Sequence, residues 1–186
     1  MKNLNTIKLL AVLFISTITL SSCSDSHDDH DHEHGEELIT TVTYTLTSGN
    51  DVVTLTFKDL DGEGGLDGTT TISGPLKANT TYTGAVSFLN ETESPTENIT
   101  EEVIAEGDEH EVFYTTTVSG LTISKTDDDK NGDPLGIETS LTTSNAATGT
   151  ITIVLIHEPL KPNNGTSTSA GGSTDAEVTF TVQITQ

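Results

Sequence analysis

Arginine and tryptophan are absent from this 186-residue chain, and its 7 basic residues, all lysine, face 29 acids. Phosphate neutralisation needs basic patches that do not exist here, which argues against any nucleic-acid partner. The formal charge of −22 favours cations and repels anionic lipid surfaces. With no Trp, three Tyr and five Phe, a carbohydrate-stacking platform is also disfavoured. A single cysteine rules out a disulfide within the chain, so the domain must stand on packing or on bound metal. Enzyme signatures are missing too: there is no G-x-S-x-G elbow, H-E-x-x-H helix, P-loop or G-x-G-x-x-G turn. Carboxylates abound, but nothing selects a pair for acid–base work. The reading is non-catalytic.

What the chain does have is threonine, at 36 positions. Thr is β-branched, poor in helices and at home on a solvated strand face, so the composition predicts an all-β domain. The length allows one ordinary domain with a real core.

Residues 1–22 read as an export signal. Lys2 and Lys8 precede an apolar run from Leu9 to Leu20, which is too short for a spanning helix. The run ends in Leu20-Ser21-Ser22-Cys23, which resembles the bacterial lipobox. The resemblance implies cleavage before Cys23 and lipidation there, and stable attachment to a membrane through the acyl chains. Ser24-Asp25-Ser26-His27-Asp28-Asp29 then resembles the acidic signal that sends lipoproteins of the Bacteroidota to the cell surface. The expected place is the bacterial outer membrane, facing outward, with a periplasm-facing anchor as the alternative.

Residues 23–37 form a lipidated tether. From Ser24 on it holds seven acids, four of the six histidines and no apolar residue, a composition that predicts disorder. His27, His30, His32 and His34 are spaced three, two and two apart. In an extended chain the last three share one face, and neutral imidazole ligates Zn, Cu and Ni. The tether therefore reads either as a ligand for Zn²⁺ or another divalent transition metal, or as a solvated spacer.

Residues 38–186 carry nine strand-like runs: 38–47, 51–58, 69–73, 80–90, 111–118, 120–125, 137–143, 149–157 and 176–185. Short strands at close intervals with Gly/Asn/Asp turns predict an immunoglobulin-like antiparallel β-sandwich of about 7–9 strands. Thr40, Val42, Tyr44 and Leu46 are expected inward, as are Val53, Leu55 and Phe57. Leu76 and Tyr82 resemble a tyrosine corner, with Ala78 where the usual proline would stand. One short helix is expected from Ser94, with Ser94-Pro95-Thr96-Glu97 as a capping box and Ile99, Val103 and Ile104 as its apolar stripe. Residues 158–176 are Gly/Ser/Thr/Asn-rich, and their composition predicts a disordered loop.

The strongest chemical signal runs from Asp127 to Glu138 and satisfies D-x-[DN]-x-[DN]-G-x₅-E. Asp127, Asp129, Asn131, Asp133 and Glu138 stand at the ligand positions of a Ca²⁺ loop, and Gly132 at its turn. The flanks are strands, so this is not an EF-hand. Pro134 also lacks the N–H by which paired EF-hand loops bond each other. The reading is a Ca²⁺ loop on a β scaffold, against an acidic solvated turn. Asp59, Asp61 and Glu63 repeat the spacing more weakly, with Thr70 at the closing position. His110 and His157 could each be a ligand, though a surface His and a strand-end His are the commoner situations.

Taken together, the lipobox, the His/Asp/Glu tether, ELITTVTYTLT, FKDLDGEGG, FLNETESPTENITEE, DDDKNGDPLG and AGGSTDAEVTFTVQI resemble a group of small Bacteroidota surface lipoproteins. Its members often carry the label "type 1 periplasmic binding fold superfamily". That label implies two α/β lobes, for which this chain has neither the length nor the alternating helices. The function expected is a binding or accessory lipoprotein that captures divalent metal for an outer-membrane importer or receptor. The alternative is a structural or adhesive surface domain stabilised by Ca²⁺, with the tether as a spacer.

Overall fold

In the computed structural model, residues 38–61 and 67–186 are described. Cys23, the four tether histidines and Glu63 lie outside them. Ten strands and two short helices lie among the described residues. They are β1 (Thr41–Ser48), β2 (Asp51–Lys58), β3 (Thr69–Ile72), β4 (Leu76–Lys77), β5 (Thr81–Leu89), α1 (Ile99–Ala105) and β6 (His110–Thr116), then β7 (Leu121–Lys125), β8 (Glu138–Thr143), β9 (Ala147–His157), α2 (Ser167–Ala170) and β10 (Ser173–Thr185). Two sheets face each other, ordered β3-β2-β1-β5-β8-β7 and β4-β10-β9-β6. The expected all-β sandwich is what the chain forms.

The alternation read from the sequence places the core. Val42, Tyr44, Leu46, Val53, Leu55, Val86, Phe88 and Leu141 project from the six-stranded sheet. They meet Val112, Ile151, Ile153, Leu155, Val178, Phe180, Val182 and Ile184 from the other. Each such side chain contributes about 1.5–3 kcal/mol by leaving water. The β1–β2 hairpin is tight: Ser48 pairs with Asp51, and Gly49 takes a φ of +60° that other residues resist. Tyr82 Oη accepts the Lys77 N–H at 2.9 Å and donates to Asp51 Oδ2 at 2.9 Å, the bond back along the chain that a tyrosine corner requires.

Four expectations need correction. The tenth strand, β4, is only two residues long and runs parallel to β10, so the sandwich is not wholly antiparallel. Helix α1 begins at Ile99 with Asn98 as its N-cap, four residues beyond Ser94. The reason is that Asn90 and Glu97 exchange backbone hydrogen bonds of 3.1 and 3.0 Å, which closes the Ser94-Pro95 segment as a loop. Ile104 is half exposed, so the helix buries Ile99 and Val103 alone of the expected stripe. Finally, the segment expected to be disordered is folded. It contains α2, and β10 starts three residues before the expected Ala176.

That last segment is held from both ends. Asn163 Oδ1 accepts the Gly165 N–H at 2.8 Å, and Asn164 Oδ1 accepts the Thr166 N–H at 3.0 Å, local bonds that fix turns without apolar residues. Ala170 then packs with Phe113, Val154 and Ile156 on the outer face of the smaller sheet. This explains why β9 reads as a continuous apolar run: Ile153 to Ile156 are buried on both faces.

Candidate functional site

At one end of the sandwich, the α1–β6 turn, the 126–137 loop and the 158–172 connection converge. The Asp127–Glu138 loop lies here, and two of its acids, Asp127 and Asp129, accept from donors of the chain itself. Asp127 Oδ1 accepts the Gly136 N–H and Oδ2 the Ile137 N–H, both at 2.9 Å. Asp129 Oδ1 accepts the N–H groups of Asn131 at 2.8 Å and Asp133 at 3.0 Å. Its Oδ2 receives Lys161 Nζ at 3.0 Å, and the same ammonium donates to the Gly107 carbonyl at 2.6 Å. Burial alone would raise the Asp129 pKa, but Lys161 and the two backbone donors outweigh it and hold the carboxyl below the usual range.

The rest of the loop follows from those bonds. Gly136 adopts a φ of +92°, and a Cβ there would sit 2.6 Å from the Val112 carbonyl, so only glycine lets the loop return this close to β6. Leu135 is thereby inserted into the core, with the Val112 N–H donating to its carbonyl at 2.8 Å. Asn131 is exposed and Asp133 partly so, while Glu138 opens β8 on the surface. Glu138, Asp127 and Asp128 border a shallow cavity of about 280 Å³. Of the weaker acidic loop, Asp59 is partly buried and Asp61 exposed.

Beside this loop a cavity of about 290 Å³ is lined by Glu111, Lys125, Asp133, Pro134, Lys161 and Asn163. Two of its charges, Glu111 and Lys125, pair with each other. Lys125 donates to Glu111 Oε1 and lies 4.2 Å from the centre of the Phe113 ring, while Asn163 Nδ2 donates to Glu111 Oε2 at 2.6 Å. Burial lowers the Lys125 pKa, partly opposed by its Glu111 partner.

The remaining cluster is histidine-based. His110 opens β6, His157 ends β9, and the register sets them directly opposite each other. His157 is also opposite Ser173 of β10, and a register shift between Thr174 and Ala176 leaves Asp175 as the extra residue of a β-bulge. A bulge redirects a side chain, and here it carries the Asp175 carboxylate to His110, with Oδ2 3.8 Å from Nε2. The imidazoles stack with centres 4.8 Å apart and planes 13° from parallel. Both side chains of the His110–Asp175 contact are sealed from water, at 1% and 0% exposure. Among the described residues this is the one group whose three His, Cys, Asp or Glu ligand atoms approach one another closely enough for a single ion, all within 4.8 Å.

His157 was read at a strand end and His110 as either a ligand or a surface histidine, but His110 is buried as the first residue of β6; Asp175 was not read at all, because it lay in a stretch whose composition hid a strand start. Only the β6–β9–β10 pairing, set by contacts distant in sequence, joins the three. Set against family models, curated proteins and solved structures, the chain matches none of them.

Proposed function

We propose that this chain is a lipid-anchored, non-catalytic surface lipoprotein of the Bacteroidota type that captures divalent transition metal for a neighbouring outer-membrane importer. The observation that carries this reading is Cys23 behind Leu20-Ser21-Ser22, followed at once by His27, His30, His32 and His34 among acids. Imidazoles at such spacing supply nitrogen donors, and the carboxylates between them concentrate cations. A non-catalytic role is supported by the state of the charged groups at the sandwich end. Glu111 is committed to Lys125 and Asn163, and Asp129 to Lys161.

Calorimetric titration of the exported chain with Zn²⁺ tests the tether, run beside a variant in which the four tether histidines are Asn. A binding heat that disappears with the four histidines supports capture. Equal heats in both chains would reduce the tether to a spacer and leave the adhesive or structural reading in its place.

A further inference from the structure

His110 has its protons placed by its surroundings. Nδ1 lies 3.2 Å from the Glu106 carbonyl oxygen, which can only accept, so Nδ1 carries the hydrogen and Nε2 presents a lone pair. Nε2 is buried and makes no hydrogen bond. It faces Asp175 Oδ2 at 3.8 Å, with the second imidazole stacked alongside. A lone pair held against a carboxylate oxygen, away from water, is an unfavourable arrangement of two acceptors. A cation between them removes the conflict.

We propose that His110, His157 and Asp175 form a zinc-type metal site inside the folded domain, with two imidazole nitrogens and one carboxylate oxygen as ligands. The donor set suits Zn²⁺, which takes nitrogen at about 2.0–2.1 Å and carboxylate oxygen at about 2.0–2.2 Å. Tetrahedral ligands at those lengths are roughly 3.3–3.5 Å apart, so atoms now within 4.8 Å of one another close by up to about 1.5 Å on the longest edge. The rings also turn out of their stack, since parallel imidazoles cannot aim two lone pairs at one point. The Glu106 carbonyl already serves as the outer partner that fixes the tautomer of a metal-bound histidine.

The backbone around the site is built for close approach. Gly172 has a φ of +71°, and a Cβ there would stand 2.1 Å from the His157 carbonyl oxygen. After the 158–172 connection the chain therefore passes close against the end of β9 as it enters β10, and delivers Asp175 beside His157. Each ligand comes from a different strand of one sheet, so the ion would tie the starts of β6 and β10 to the end of β9. In a chain with one cysteine this is a crosslink that a disulfide cannot supply. The inference concerns other residues than the tether and stands if the tether binds nothing.

The test uses the full chain with His27, His30, His32 and His34 replaced by Asn, in which His110 and His157 are the two histidines left. Zinc is added, excess removed by dialysis, and retained metal measured together with the ring-nitrogen NMR signals. One zinc per chain, with both imidazoles shifted to metal-bound values, is the expected result. At zinc a hundredfold above the dissociation constant, the melting temperature should rise by roughly 5–10 °C. Asp175→Asn should weaken retention at least about tenfold. The inference is overturned if the tether-silenced chain, folded by circular dichroism, retains no zinc, or retains it with both imidazole spectra unchanged. That NMR reading needs no substitution in the site and decides the matter even where the Asp175 variant fails to fold.

Discussion

Single residues at the sandwich end owe their state to what faces them. Asp129 was read as a cation ligand, and the cation it meets is Lys161, whose side chain is 6% exposed against 0% for the aspartate. Removing one member of a buried pair leaves the other charge uncompensated, and Lys161→Met should cost about 3 kcal/mol. That is the low end for such a change, because the N–H groups of Asn131 and Asp133 still hold Oδ1. Chemical denaturation should show Asp129→Asn on top of Lys161→Met recovering part of the loss. The pH dependence follows in sign. The folded Asp129 pKa lies below the unfolded one, so its contribution is fully present above about pH 4 and is lost as pH falls through the lower folded value. Denaturation midpoints between pH 5 and pH 2 should therefore fall less steeply for Asp129→Asn than for the parent chain.

Among the elements, strands were legible and loops were not. Residues 51–58 were read with both ends correct, because alternation and a Gly-Asn turn are local properties. Helix α1 was displaced because Ser-Pro-Thr-Glu has capping-box chemistry, yet Glu97 is held by Asn90 across the loop. Residues 158–172 looked disordered because their order comes from asparagine turns and from Phe113, Val154 and Ile156 beneath Ala170. The Asp127–Glu138 loop was read either as a Ca²⁺ loop or as an acidic solvated turn. Its motif spacing is right for Ca²⁺, but Asp127 and Asp129 spend their oxygens on N–H groups and Lys161. We therefore expect equal melting temperatures in calcium and in chelator at matched ionic strength. A calcium-dependent rise of several degrees, abolished by Asp129→Asn, would show that the acids gather round an ion instead.

At the scale of the whole molecule, the proposed place at a cell surface rests on the lipobox-like Leu20–Cys23 segment of a −22 chain. The outward faces carry threonine ladders, with Thr152 and Thr179 hydroxyls 2.8 Å apart and Thr81 and Thr142 hydroxyls 3.2 Å apart, which suits strands that meet solvent. Anchoring is expected to depend on one atom, the Cys23 sulfur. Fractionation of cells expressing Cys23→Ala should move the protein from the membrane to the soluble fraction. Unchanged partitioning would defeat the lipid anchor.

The sequence by itself determined the all-β class, nine of the ten strands among the described residues and the inward faces of β1 and β2, since period-two alternation depends on neighbours in the chain. The expected export signal and histidine tether lie outside the described residues and rest on composition and order alone. The tertiary structure decided which strands pair, and with them everything at the sandwich end. Asp129 meets Lys161 across 32 residues and His110 meets Asp175 across a β-bulge, contacts that no local pattern encodes. Spacing can propose ligands, but whether an acid faces an ion, an ammonium or a backbone N–H is settled by what the fold brings opposite it.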